Sequence, residues 1–187
     1  MKKLTLLCFL LLNSCWLFAQ SNTVKTRIVN GYLMSSAKNV IQNIDSVKEL
    51  STFASAIKAV GLTDTFTGAG PITVFAPSNI AFAKLPAGTL DTLLAPAHLQ
   101  ALKNFILGHV IGGSLTAKEI AKQVRLNNGQ TTLTTLSGAK LTATIDANRN
   151  IVLTDENGGK SIIATFDIAQ SNGILDIVTA VLLPKSN

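Results

Sequence analysis

Apolar positions along this 187-residue chain follow two successive rhythms. From Asn39 to about Lys122 they recur mostly at helical spacing, and beyond Asn128 they alternate with polar residues at the period of two that half-buried strands require. Val47, Leu50, Phe53, Ala54, Ile57 and Val60 form one helical face, with Gly61 as a C-cap and Leu62 behind it. Gly68-Ala69-Gly70-Pro71 breaks the chain, after which Ile72-Thr73-Val74-Phe75 has the β-branched and aromatic content of a buried strand. Ala76-Pro77 ends that strand. Ser78 or Asn79 then caps a short helix with Ile80, Phe82, Ala83 and Leu85 on its apolar face and Pro86 as its stop.

Thr89 to Leu94 predicts a single helical turn. Pro96 suits the first position of a longer helix that carries Leu99, Leu102, Phe105 and Ile106 on one side and closes at Gly108. His109-Val110-Ile111 reads as a short strand, and Thr116-Ala117-Lys118-Glu119 as a capping box that opens a brief helix ending at Ala121 or Lys122. Asn128-Gly129, Ser137-Gly138 and Asn157-Gly158-Gly159 then punctuate the alternating segments Thr132 to Leu136, Lys140 to Ile145, Ile151 to Thr154 and Ser161 to Ile168. A last apolar run, NGILDIVTAVLLP, extends from Asn172 to Pro184. Helices crowd the first half and strands the second, which predicts an α+β domain with helices packed on a largely antiparallel sheet.

The N-terminus changes the cellular picture. Met1-Lys2-Lys3 precedes an apolar run from Leu4 to Leu12, and the segment through Ala19 reads as a secretory signal over residues 1–19, too short and interrupted for a comfortable membrane span. Leu12-Asn13-Ser14-Cys15 offers a rival reading as a lipobox, in which lipidation at Cys15 would hold the protein to a membrane at the cell surface. Without that anchor the expectation is a secreted, extracellular or periplasmic monomer. Residues 20–37 form a polar lead-in, whose order would depend on docking to the domain at 38–185.

Both cysteines, Cys8 and Cys15, lie in the signal, so the exported chain would stand on its core without disulfides. The +6 net charge also falls on cleavage, to 14 basic against 10 acidic residues. The basic residues are scattered singly with no interleaved aromatics, which excludes the footprint of a nucleic-acid binder. Trp16 goes with the signal. The phenylalanines at 53, 66, 75, 82, 105 and 166 sit in apolar patterns and read as core, leaving no visible aromatic platform for stacking sugars.

Two stretches carry a family likeness. TVFAPSNIAFAKLP, from Thr73 to Pro86, resembles the first signature of fasciclin-type domains, and NGILDIVTAVLLP resembles the second. Leu107-Gly108-His109-Val110 falls between them, where the family commonly has a Tyr-His pair. The likeness runs from about Gly31 to Pro184. It implies a wedge of mostly antiparallel strands with a packed layer of short helices, found in extracellular and cell-surface proteins linked to adhesion and matrix interactions. Thr73, Phe75, Pro77, Ser78, Asn79, Phe82, Asp167, Asn172, Gly173, Leu183 and Pro184 are the positions read as its structural motif. Gly108 stands in place of the tyrosine, so integrin recognition does not carry over, and Asp176 stands near where many members have a histidine. Fold transfers by such likeness better than function does.

The chemistry-bearing residues mostly have simple structural readings. His109, beside a helix-ending glycine, reads as a structural histidine with an interaction role as the lesser alternative. His98 falls on the polar side of its helix. Two histidines and no cysteine in the exported chain argue against a zinc site. Ser78 at a strand-to-helix corner lacks the glycines and the histidine-acid pair of a nucleophile elbow, and helix capping accounts for it. Asp146-Ala147-Asn148-Arg149-Asn150 begins like a calcium loop, but Ile151 and Asn157 occupy the positions that need glycine and glutamate, so it reads as a hairpin tip. Asp155-Glu156 reads as a solvated turn. Asp167 and the turn at Asn172-Gly173 read as structural.

These residues predict no catalytic or metal site and no cofactor. The expected function is a non-enzymatic adhesion or interaction module for an extracellular or cell-surface protein or polysaccharide. A carrier of a lipid or apolar small molecule is the alternative, with a large enclosed apolar pocket as its mark. A carboxylate hydrolase ranks lower, since it needs two acids converging in one cleft.

Overall fold

The computed structural model describes residues 23–185. The signal expected over residues 1–19 and the lipidation site at Cys15 lie outside these residues. The polar lead-in contains a hairpin that its composition hides: β1 (Thr26–Val29) pairs antiparallel with β2 (Tyr32–Ser35). Asn30 and Gly31 both take positive φ at its turn, as the tightest hairpin connections require. Only Val29 and Met34 of the hairpin are deeply buried, too few positions to produce a periodic signal. Asn43 fastens the hairpin down, accepting from the Ser35 N–H at 3.1 Å and donating to the Ser35 carbonyl at 2.8 Å.

The helical half follows in short pieces. α1 (Val40–Asp45) starts at a capping box formed by Asn39 and Gln42. The face beginning at Val47 divides into a 3₁₀ turn at Lys48–Leu50 and α2 (Ser51–Ala59), followed by α3 (Thr63–Thr67). β3 (Ile72–Pro77) is buried at all six positions. α4 (Asn79–Ala83), α5 (Thr89–Leu94) and α6 (Leu99–Leu107) lead to β4 (Val110–Gly112). α7 (Ala117–Leu126) outlasts the brief helix that its capping box predicts, because Val124 continues the buried face begun by Ala117 and Ile120.

The second half builds β5 (Gln130–Thr134), β6 (Lys140–Ile145), β7 (Ile151–Thr154), β8 (Lys160–Gln170) and β9 (Gly173–Val178). With β3 and β4 they form a seven-stranded sheet in the order β4-β3-β9-β8-β7-β6-β5. Every neighbouring pair is antiparallel except β3 with β9, so the fold is α+β with one parallel junction. One core lies under α1 to α6 and includes Phe53, Phe66, Phe82 and Phe105; a second, under α7, includes Phe75, Ile120, Leu133 and Leu153.

Of the residues expected on core-facing sides, Ile80, Ala83, Leu99 and Phe166 lie outside the core. Ile80 is 71% exposed, because α4 is one turn long and can bury a single side, which Ala81 and Phe82 occupy. Leu99, the first residue of α6, is exposed one turn ahead of the buried Leu102, Phe105 and Ile106. Phe166 is 49% exposed: the β8–β9 register shifts on both sides of Thr165, and the irregularity breaks the alternation that would have turned the ring inward.

Candidate functional site

The parallel junction sets the two sequence signatures side by side, with Ile72 opposite Gly173 and Pro77 opposite Val178. The backbones approach so closely that a Cβ on Gly173 would lie 1.9 Å from the Ile72 carbonyl oxygen. Glycine is needed there for space and for its φ of +152°. Asn172 works as a three-way clamp. Its Oδ1 accepts from the Val40 N–H at the start of α1 (3.0 Å), and its Nδ2 donates to the carbonyls of Phe66 (2.8 Å) and Gly68 (3.1 Å).

The polar residues of the first signature are equally engaged. Thr73 donates to the Gly113 carbonyl and accepts from the Leu115 N–H. Pro77 ends β3, and Ser78 caps α4 by accepting from the Ala81 N–H. Asn79 accepts from the Thr52 N–H and donates to the Lys48 carbonyl and Ser51 hydroxyl, tying the corner to the start of α2. Phe75 and Phe82 are core. At the far end of the second signature, the carbonyls of Leu183 and Pro184 accept from Asn157 Nδ2.

His109 lies wholly inside, against the rings of Phe53 and Phe105, so its side chain presents no surface to a partner. The Phe105 carbonyl can only accept, so Nδ1 carries the proton and donates at 2.9 Å; Nε2 then accepts from the Leu182 N–H at 3.1 Å. Burial pulls its pKa from 6.5 down to about 4, against an opposing pull from the Phe105 carbonyl, so the ring is neutral at pH 7. The imidazole joins the end of α6 to the segment after β9.

A pair of acids sits where β8 is irregular. Asp167, at a φ of +58°, accepts from the Ala117 N–H opening α7, and its own N–H donates to Asp176 Oδ1, both at 2.8 Å. Burial pushes the Asp176 carboxyl from 3.8 up to about 7, only partly offset by that N–H; the nearby Asp167 charge raises it further and Arg27 lowers it. Among the described residues, Asp176 Oδ2 and Glu49 Oε2 are buried without a hydrogen-bond partner.

Asp155 departs from the solvated turn expected of it. It is buried, with Oδ1 accepting from the Asn157 and Gly159 N–H groups and Oδ2 from the Leu183 N–H. The Asp-x-Asn spacing of an Asx turn was its available signal; the Leu183 contact, 28 residues away, had none. Asp146 Oδ1 accepts from the Asn150 N–H at 2.8 Å, across the hairpin tip. Among the described residues, no group of three or more His, Cys, Asp or Glu is placed to hold a metal ion.

The fasciclin domain model matches residues 48–184, most of the chain. The chain belongs to the fasciclin domain family. It is 31% identical over 162 residues to protein sll1483 of Synechocystis sp., covering 87% of this chain and 82% of that one. It is 30% identical over 155 residues to transforming growth factor-beta-induced protein ig-h3 of Sus scrofa, covering 82% of this chain but 21% of that much longer one. Immunogenic protein MPB70 of Mycobacterium bovis is 30% identical over 143 residues, with 74% and 65% covered. The fold resembles a solved FAS1 domain pair from the insect cell adhesion molecule fasciclin I, at a TM-score of 0.70 and 15% identity, covering 86% of this chain and 66% of that one.

In this fasciclin domain the polar motif residues act as internal latches, with Thr73 and Asn172 buried and Ser78 and Asn79 half-exposed at the corner. A depression of about 550 Å³ separates the hairpin from the first-signature corner, lined by Tyr32, Glu49, Asn79, Ile80 and Thr179 among others. On the hairpin, Ile28 and Leu33 are cross-strand partners and are 72% and 59% exposed. No described helix is long and apolar enough to cross a membrane.

Proposed function

We propose that this fasciclin domain is an exported, non-catalytic interaction module that binds an extracellular or cell-surface protein through the depression between the hairpin and the first-signature corner. The carrying observation is Ile80: a large apolar side chain, 71% exposed, on a corner whose backbone is held by Ser78 and Asn79. A rigid apolar residue beside a pocket makes a good interface anchor, since little side-chain freedom is lost on binding. Glu49, half-buried beside Lys48 in the same depression, offers a carboxylate to a basic group from the partner. The kinship with a cell adhesion molecule supports this reading at the level of fold. A protein partner is favoured over a polysaccharide, because the lining has one aromatic residue, Tyr32.

The test is surface-immobilised protein screened against matrix proteins, cell-surface ectodomains and glycans at two salt concentrations, with Ile80→Asp and Glu49→Gln variants alongside. A protein ligand whose affinity falls at least tenfold in Ile80→Asp supports the proposal. Binding of glycans alone, or ligand binding indifferent to both variants, would refute it.

A further inference from the structure

A second depression, of about 610 Å³, lies where α7 crosses the sheet, and its volume is in the range of small-molecule sites. Ile145, Ile151 and Ile163 of the strands face Ala121 and Val124 of the helix across it, with Phe166 at its margin. Phe166 is the aromatic residue that the β8 irregularity turns outward, so an apolar ring in contact with water borders an apolar groove.

The ends of this groove differ. Gln130 pairs with Thr144, and Ile145 with Ile151, so the β6–β7 tip that carries Arg149 lies beside the start of β5 and the C-terminal end of α7. Arg125 belongs to that same end, in the last turn of α7. Phe166 and Ala117 mark the other end, since the Ala117 N–H bonds Asp167, next to Phe166. Among the described residues, neither arginine is in an ion pair. Asp146, the acid on the same tip, has both carboxylate oxygens bonded to Asn150.

We propose that this groove binds a free long-chain carboxylic acid, its acyl chain lying along Ile163 and Phe166 and its carboxylate held by Arg125 and Arg149. The apolar lining rewards each buried methylene by roughly fourfold in affinity until the groove is filled. Guanidinium groups favour a carboxylate through paired, charge-assisted hydrogen bonds, which a neutral alcohol of equal length cannot match. The groove does not overlap the depression lined by Ile80, so ligand binding here stands or falls independently of the protein-binding role.

The purified protein is titrated with cis-parinarate, whose fluorescence rises in an apolar site, and the probe is then displaced with dodecanoate or dodecanol. Dodecanoate is expected to displace it at least tenfold more effectively than dodecanol. Arg125→Gln combined with Arg149→Asn should abolish that preference while leaving the circular dichroism spectrum and melting temperature unchanged; both positions are exposed, and asparagine tolerates the φ of +65° at position 149. Ala121→Phe should block both ligands. No probe binding, equal displacement by acid and alcohol, or a preference that survives in the double variant would each overturn the proposal.

Discussion

Replacing Asn172 by alanine should be among the most damaging polar substitutions in the chain. It removes one acceptor and two donors at once, stranding the Val40 N–H and the carbonyls of Phe66 and Gly68. Val40 and Phe66 have no exposed surface. A buried group stripped of its partner costs about 1–3 kcal/mol, so two such groups and a third that water can reach amount to roughly 3–5 kcal/mol. Urea denaturation followed by circular dichroism measures this directly: with a slope of about 2 kcal/mol/M, the midpoint should fall by about 2 M. The melting temperature should drop by about 10 °C. Asn172→Asp separates the contributions, since it keeps an acceptor for Val40 but sets a carboxylate against two carbonyls; it should be at least as unstable at pH 7 and partly recover in acid. An alanine variant that loses less than about 1 kcal/mol at unchanged slope would refute the clamp.

Gly173→Ala should prevent native packing at the parallel junction, since its methyl group would meet the Ile72 carbonyl, and soluble yield with near-ultraviolet circular dichroism will report it. The pH dependence of stability should hide two opposing slopes. Asp176 has a folded pKa near 7 against 3.8, so between about pH 4 and 7 the folded state keeps a proton that the unfolded chain has released, and this contribution falls as pH rises. His109 has a folded pKa near 4 against 6.5, so over about pH 4 to 6.5 the unfolded chain binds the extra proton and stability rises with pH. Asp176→Asn should remove the falling limb and expose a rise of up to about 3 kcal/mol across that window, read from urea midpoints at stepped pH. A variant whose profile stays as flat as that of the parent protein would contradict the pairing.

Legibility in the sequence followed the range of the forces involved. The α2 and α6 faces, the capping box at Thr116 and Glu119, and the strands from Lys140 to Ile145 and Ile151 to Thr154 were readable because propensity, periodicity and turn chemistry all act within a few residues. The hairpin at Thr26–Ser35 was not, since two buried side chains and a remote clamp from Asn43 hold it. Asp155 looked solvated because its decisive partner, Leu183, comes from another element. Phe166 looked buried because the alternating pattern assumes an unbroken register, and the irregularity in β8 belongs to its pairing with β9.

The sequence by itself determined the α+β class, the family and the apolar residues of its two signatures, all matters of local pattern. Only the tertiary structure decided what those signatures do. It placed them side by side in the sheet's one parallel pair, buried Thr73 and Asn172, and left Ile80, Phe166, Arg125 and Arg149 facing solvent. The physical reason is that burial and hydrogen-bond satisfaction depend on which segments meet. Asn172 reaches Val40 across 132 residues, and no local window contains that contact.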